Sequence, residues 1–209
     1  MKRFGQLVMV MVIAVAWGSG TGYAQTPESK WSGQVAGAAA LGHSSSASFG
    51  AEFDYRWNNN WELAFEAGHI GNIATSDLED RAQLIGDFLG VEASPVQHAV
   101  YYDLGVRYLV LPEGRWNPYV AVGFGGSRVN TETTFEDADL SSVLLGKDLD
   151  GYVTKASFMF GGGVNVPYKQ KYFFDGSVRF GRILAKTGEI EGDTAATTLR
   201  IQVGFGLRF

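Results

Sequence analysis

Cysteine is absent from the 209-residue chain. That excludes a disulfide framework and an acylated N-terminal cysteine anchor. Long apolar runs are missing too. The one candidate, Leu7–Trp17, falls short of the roughly 20 apolar residues that a membrane helix needs. Nor is there any excess of positive charge. Without Lys2 and Arg3, 15 basic residues stand against 22 acidic ones, a balance of −7, which disfavours nucleic acid as a partner. Histidine is scarce, with His43, His69 and His98 the complete set. General-base chemistry at neutral pH most often uses histidine, so catalysis has little to draw on.

What the chain does have begins at its front. Lys2 and Arg3 precede the apolar run, and Gly22 and Ala24 follow it as small residues. This is the layout of a secretory signal peptide, with cleavage expected after Ala24. Residues 1–24 are then a leader, and residues 25–209 form one domain. With no helical span available, a membrane-spanning form must be a closed barrel, because only closure satisfies every backbone group in lipid.

The final residues carry the strongest pattern. Leu199, Ile201, Val203, Phe205, Leu207 and Phe209 alternate with Arg200, Gln202, Gly204, Gly206 and Arg208. A period of two is a strand with two unlike faces. Eight such stretches occur, near 32–42, 47–57, 61–71, 98–111, 117–129, 152–166, 172–185 and 197–209. Each is near or above the 9–11 residues of a tilted membrane strand. Their connections are short at 58–60, 112–116 and 167–171. They are mostly longer at 72–97, 130–151 and 186–196, with a brief one at 43–46. Short turns on one side and long loops on the other is the layout of outer-membrane barrels, with short turns and both termini periplasmic.

Tryptophan and charge fill in the two faces. Trp31, Trp57, Trp61 and Trp116 all fall at strand ends on the short-turn side, an expected aromatic girdle that Tyr119, Tyr172 and Phe209 join. Parity turns Glu52, Asp54, Glu62, Glu66, Asp103 and Asp175 inward, against Arg56, Arg107, Lys155, Arg179, Arg200 and Arg208. Six acids facing six bases predict a lumen plugged by ion pairs, since unpaired buried charge costs several kcal/mol. Inward glycines such as Gly105, Gly161 and Gly206 are expected to make room for the arginines.

These features resemble the small porin-family outer-membrane β-barrel domain, the group that includes the OmpA transmembrane domain and OmpX. The carrying segments are the signal peptide, Trp116–Gly126, Phe160–Val166 and the terminal Arg208-Phe209. The resemblance implies an all-β, eight-stranded, antiparallel up-and-down barrel in a Gram-negative outer membrane. It also implies contact with the barrel-assembly machinery during biogenesis, with Phe209 as part of the signal read there.

Sites of chemistry are sparse. The histidines fall at the loop-side rim, pointing toward lipid, where they do not converge on a pocket. Asp148-Leu-Asp150-Gly151 has part of a calcium loop but lacks the first ligand position and the distal Glu. Segments 72–97, 130–151 and 186–196 together carry −11, a solvated acidic crown. Arg128 and Arg182 point outward near the level of lipid phosphates. Ser76-Asp-Leu-Glu79 fits a capping box. Leu78, Ala82, Ile85 and Leu89 continue it as one helical face, so a helix is expected at 77–89, over the barrel mouth.

The reading is a non-enzymatic, monomeric barrel with a structural or surface-contact role, touching outer-membrane lipid and lipopolysaccharide and needing no cofactor or metal. The alternatives are an enzyme that modifies lipid A and a narrow channel. Deletion of Phe209 is expected to lower the outer-membrane level several-fold and leave the chain to periplasmic proteases. Membrane fractionation and immunoblotting measure this, and normal levels would remove the terminal residue from the assembly signal.

Overall fold

Alternation along the chain becomes eight strands paired in chain order, in a computed structural model that describes residues 29–135, 151–184 and 195–209. The strands are β1 (Trp31–Leu41), β2 (Ser46–Arg56), β3 (Trp61–Ile70), β4 (Ala93–Leu109), β5 (Asn117–Phe135), β6 (Gly151–Tyr168), β7 (Tyr172–Ile183) and β8 (Ala196–Arg208). One helix, α1 (Ser76–Leu89), stands between β3 and β4. Every neighbouring pair is antiparallel, and β8 pairs back onto β1 to close the barrel.

The register fixes the shape. From Trp31, the cross-strand partners run through Tyr55, Leu63, Val106, Val122, Phe160, Phe180 and Leu199, and return to β1 at Leu41. The circuit ends ten residues from its start. Eight strands with that stagger tilt about 40° from the axis and leave a bore only wide enough for side chains.

Each strand presents an apolar outer face, with Val35, Phe49, Phe65, Leu104, Val120, Phe124 and Phe160 exposed. Cross-strand ring pairs stiffen that face, among them Trp61–Tyr108 at 4.9 Å and Phe160–Phe180 at 4.9 Å. Trp31, Trp57, Trp61 and Trp116 are exposed at the end that holds the short turns and Phe209. The β2–β3 turn is tied by Asn58, whose Oδ1 accepts from the backbone of Asn60 and Trp61, each at 2.9 Å. At the seam, the Phe209 amide donates to the Trp31 carbonyl at 3.0 Å.

Several details differ from the sequence-based expectations. β4 starts at Ala93, not near 98, and β5 runs on to Phe135, not 129. On the loop side of Ala99, β4 has no β3 partner and pairs only with β5. Pro95 is tolerated there because one side of the strand is a free edge. The helix is capped by Thr75, not Ser76, its side chain accepting from the Leu78 amide. Gly86 takes the fourth inward position of α1, against Val91 and Ala93, whereas Leu89 is partly exposed. Tyr119 does not join the girdle. Its side chain is buried in the lumen, because it shares the parity of Gly123 and Ser127, not that of the outward Val120.

The inward glycines serve rings more than arginines. A Cβ on Gly206 would meet the Phe173 ring and the Gly33 carbonyl, and one on Gly68 would meet the Tyr101 hydroxyl. Gly161 alone of the three named above meets an arginine side chain, that of Arg179. Gly206→Val therefore overpacks the seam. Such a change costs about 1–3 kcal/mol, and a heat-modifiability gel should show less folded barrel. Outward Gly37, with nothing within 4 Å of an added Cβ, should accept valine with no such loss.

Candidate functional site

Charge in the lumen is arranged by wall. β2 and β3 supply Glu52, Asp54, Glu62 and Glu66, all buried. The arginines that meet them come mainly from β4, β7 and β8. Arg107 on β4 lies against Glu52, with Nη1 3.6 Å from Asp54 Oδ2 and 3.5 Å from Glu62 Oε2. Its guanidinium stacks 4.2 Å above the Tyr119 ring. Arg56 adds a second cation to Glu62, its Nη2 donating at 2.7 Å.

Arg179 is the link across the bore. It rises from β7, four strands from β3 in a ring of eight, and donates to both Glu52 and Glu66. Glu66 is the most heavily coordinated acid. Its Oε1 accepts from Arg200 at 3.1 Å, Tyr101 at 2.8 Å and Gln202 at 3.4 Å. Arg200 also lies 4.2 Å above the Tyr101 ring. Asp175 accepts from Tyr119 at 3.0 Å and Asp103 from Ser157 at 3.2 Å. Lys155 is buried on β6, and Arg208 donates to Asn165 at 3.2 Å near the turn end. Between Glu52, Glu66, Arg107 and Arg179 the remaining cavity is about 10 Å³, close to the smallest space that holds one water.

Above the ionic layer lies an apolar one that sequence reasoning missed. Ala40, Ile70, Ala99, Val129, Ile183 and Ala196 close the lumen at the loop end, joined by Tyr101 and by Ile73 from the segment after β3. Its signal was available: Ile70, Ala99, Val129 and Ile183 share the inward parity of Glu66, Asp103, Ser127 and Arg179. Asn72 pins that segment, its Oδ1 accepting from Ala74 N at 2.9 Å and from Gln97 N at 3.2 Å.

The helix is held from both ends of its inner face. Leu78 packs on Ala74 with Ile85 beside them, and Glu79 Oε2 lies 2.9 Å from His43 Nε2. A pocket of about 230 Å³ remains between the helix start (Thr75, Asp77), the β1 end (Ala40, His43) and the β8 start (Thr197, Thr198). The outer face of α1 is mixed: Leu84 at 71% and Phe88 at 90% exposure stand among the exposed Asp80, Gln83 and Asp87.

The histidines separate by place. His43 leaves the lipid-facing rim assigned to it by parity and binds the helix instead, because it lies beyond the end of β1. His69 and His98 do face outward, stacked with centroids 5.8 Å apart, and Phe49 stacks on His69 at 5.3 Å. Among the described residues no group of three His, Asp or Glu could hold a metal. The leader, residues 136–150 with Asp148 and Asp150, and residues 185–194 lie outside the described residues.

Likeness to known proteins follows this architecture. The Neisserial surface protein A structure is 14% identical with a TM-score of 0.56, covering 86% of this chain and 96% of that one. A major outer membrane protein from Thermus thermophilus is 9% identical with a TM-score of 0.52, covering 86% of this chain and 99% of that one. The N-terminal β-barrel domain of Pseudomonas aeruginosa OprF is 14% identical with a TM-score of 0.50, covering 85% of this chain and 97% of that one. At such identities the likeness is one of fold. No curated protein matches the chain by sequence. Residues 12–209 match the outer membrane protein beta-barrel domain, and the chain belongs to that family of bacterial outer-membrane barrels.

Proposed function

We propose that the protein is a non-enzymatic barrel that holds a rigid platform at the cell surface, with its loop end outward and both termini periplasmic. The observation that carries this reading is the closed lumen beneath an exposed helix. Two layers of side chains fill the bore, one ionic and one apolar. Over them, α1 turns Leu84 and Phe88 to solvent. A surface-contact role needs a stiff base and a projecting face, and both are present. A conducting role needs a continuous water path, and the cavity left at the ionic layer is about 10 Å³. An acyl-ester hydrolase needs a base beside a nucleophile, and here His69 stacks between His98 and Phe49.

Four measurements test the reading. The absence of native cysteine allows single-site labelling on whole cells. Asp87→Cys on the helix should react with a membrane-impermeant maleimide, and Lys169→Cys in the β6–β7 turn should react only after lysis. The reverse pattern would invert the barrel. In planar bilayers the folded protein should give no steady nanosiemens conductance, and lipopolysaccharide incubated with it should keep its acyl chains by mass spectrometry. Arg179→Met should lower stability by about 3–5 kcal/mol, because it leaves Glu52 and Glu66 buried without their shared cation. Partial recovery in Arg179→Met with Glu66→Gln would trace the loss to charge, not packing.

A further inference from the structure

The two rims of the barrel differ in chemistry. At the turn end the outward face carries the four tryptophans. At the loop end, outward positions on β3 to β7 carry His69, His98, Arg128 and Arg182 instead. Along a strand tilted about 40°, each residue climbs roughly 2.5 Å. With the register above, those four side chains lie roughly 20–28 Å from the tryptophan level, which matches the ≈ 25 Å apolar band of such barrels. They therefore stand where headgroup phosphates lie. Arg128 is braced over the Tyr152 ring at 4.3 Å. His69, Val100 and Arg128 occupy one cross-strand row. His98 Nδ1 is buried without a hydrogen-bond partner among the described residues, and its ring stacks on that of His69 at 5.8 Å. The nearby carboxylate, Glu132, is engaged by the Asn130 amide at 2.7 Å.

Directly below His69 the wall is hollow. Val35, Gly37, Phe49, Ala51 and Ala67 line an apolar groove of about 490 Å³ on the outward face of β1–β3. At Gly126 the Tyr102 ring covers the equivalent gap, whereas Gly176 on β7 is as open as Gly37. Nothing fills the space at Gly37. Phe49 forms the upper wall of the groove and stacks on His69, so groove and polar rim are continuous.

We propose that this face holds one phosphorylated glycolipid of the outer leaflet. An acyl chain lies in the groove of β1–β3, and a headgroup phosphate sits against His69, His98 and Arg128. Complementary charge argues for the phosphate, since cationic and N–H-bearing side chains bind phosphate oxygens well. The position of the groove argues for the chain, since it lies within the hydrocarbon band. The glycolipid assignment rests on the loop end facing outward, which the cysteine labelling tests separately.

Native mass spectrometry of the full-length folded protein in detergent tests the site. The probes are bisphosphorylated lipid A, monophosphoryl lipid A and phosphatidylglycerol. The wild type should retain one bisphosphorylated lipid A at least tenfold better than phosphatidylglycerol. Gly37→Leu with Ala51→Leu fills the groove from outside the barrel and should lower retention of every probe at least tenfold. His69→Ala with His98→Ala and Arg128→Gln should still retain a lipid but lose the preference for two phosphates over one. Heat-modifiability gels confirm that both variants are folded. Unchanged retention in the groove variant overturns the proposal, as does unchanged preference in the rim variant. Preference for phosphatidylglycerol in a barrel whose labelling shows the loop end outside also overturns it. A lipid-free dimer lost in the groove variant would put a second copy of the chain there instead.

Discussion

A buried guanidinium that reaches across the bore is the constraint on which the interior depends. An eight-stranded barrel places its polar face in a space too narrow for bulk water, so each ionised side chain needs a partner within reach. Here the acids gather on β2 and β3, and most of their cations come from other parts of the ring. Arg179 bridges to both Glu52 and Glu66 from the opposite wall, so charge neutrality and cross-bracing are the same contact. Removing one wall's charges would leave the other wall's uncompensated. Packing responds to this arrangement: Tyr101 and Tyr119 lie flat beneath Arg200 and Arg107, and small residues such as Gly68 let the Tyr101 hydroxyl approach the wall.

The outside obeys a simpler rule, which is why the strands were legible in the sequence. Lipid and lumen demand opposite side chains, so alternation is sharp wherever a strand crosses the hydrocarbon. Past the lipid that contrast fades. Thr131, Glu132, Thr133 and Thr134 are polar on both faces, and the ladder continues through them without any periodic mark. Parity likewise assigned the charged residues to a face but not to partners. Nothing local to Arg179 says that it will cross to β2 and β3, because that depends on the stagger of all eight strands. The helix was legible from its spacing, whereas its cap was displaced by one residue, since Thr75 and Ser76 both carry a suitable hydroxyl. Tyr119 went astray through its type: an amphipathic ring near a strand end is typical of the interface, and here it serves an arginine inside.

At the loop end, lumen and surface meet. Beneath α1 the lumen is sealed by alkyl side chains, and around it the β4–β5 ladder rises past its neighbours. The helix is fastened to the β1–β2 connection through Glu79 and His43 and to the start of β4 through Gly86. Leu84 and Phe88 on its outer side are thus held in a fixed attitude. Adding little to stability, since exposed apolar side chains contribute nothing by burial, Leu84 and Phe88 gain meaning only from what they meet.

The β1–β8 seam has a consequence for the order of events in folding. The first and last strands pair along ten residues of register, from Ser32 with Arg208 to Leu41 with Leu199. The outer edge of β1 cannot complete its hydrogen bonds before the final strand exists, so the contact order of closure is as large as the chain allows. Pairing of such distant segments is slow. Until it happens, both edges of the growing sheet expose unpaired backbone, the template on which chains aggregate. The barrel therefore closes late, and both edges of the sheet stay open until its last strand is in place.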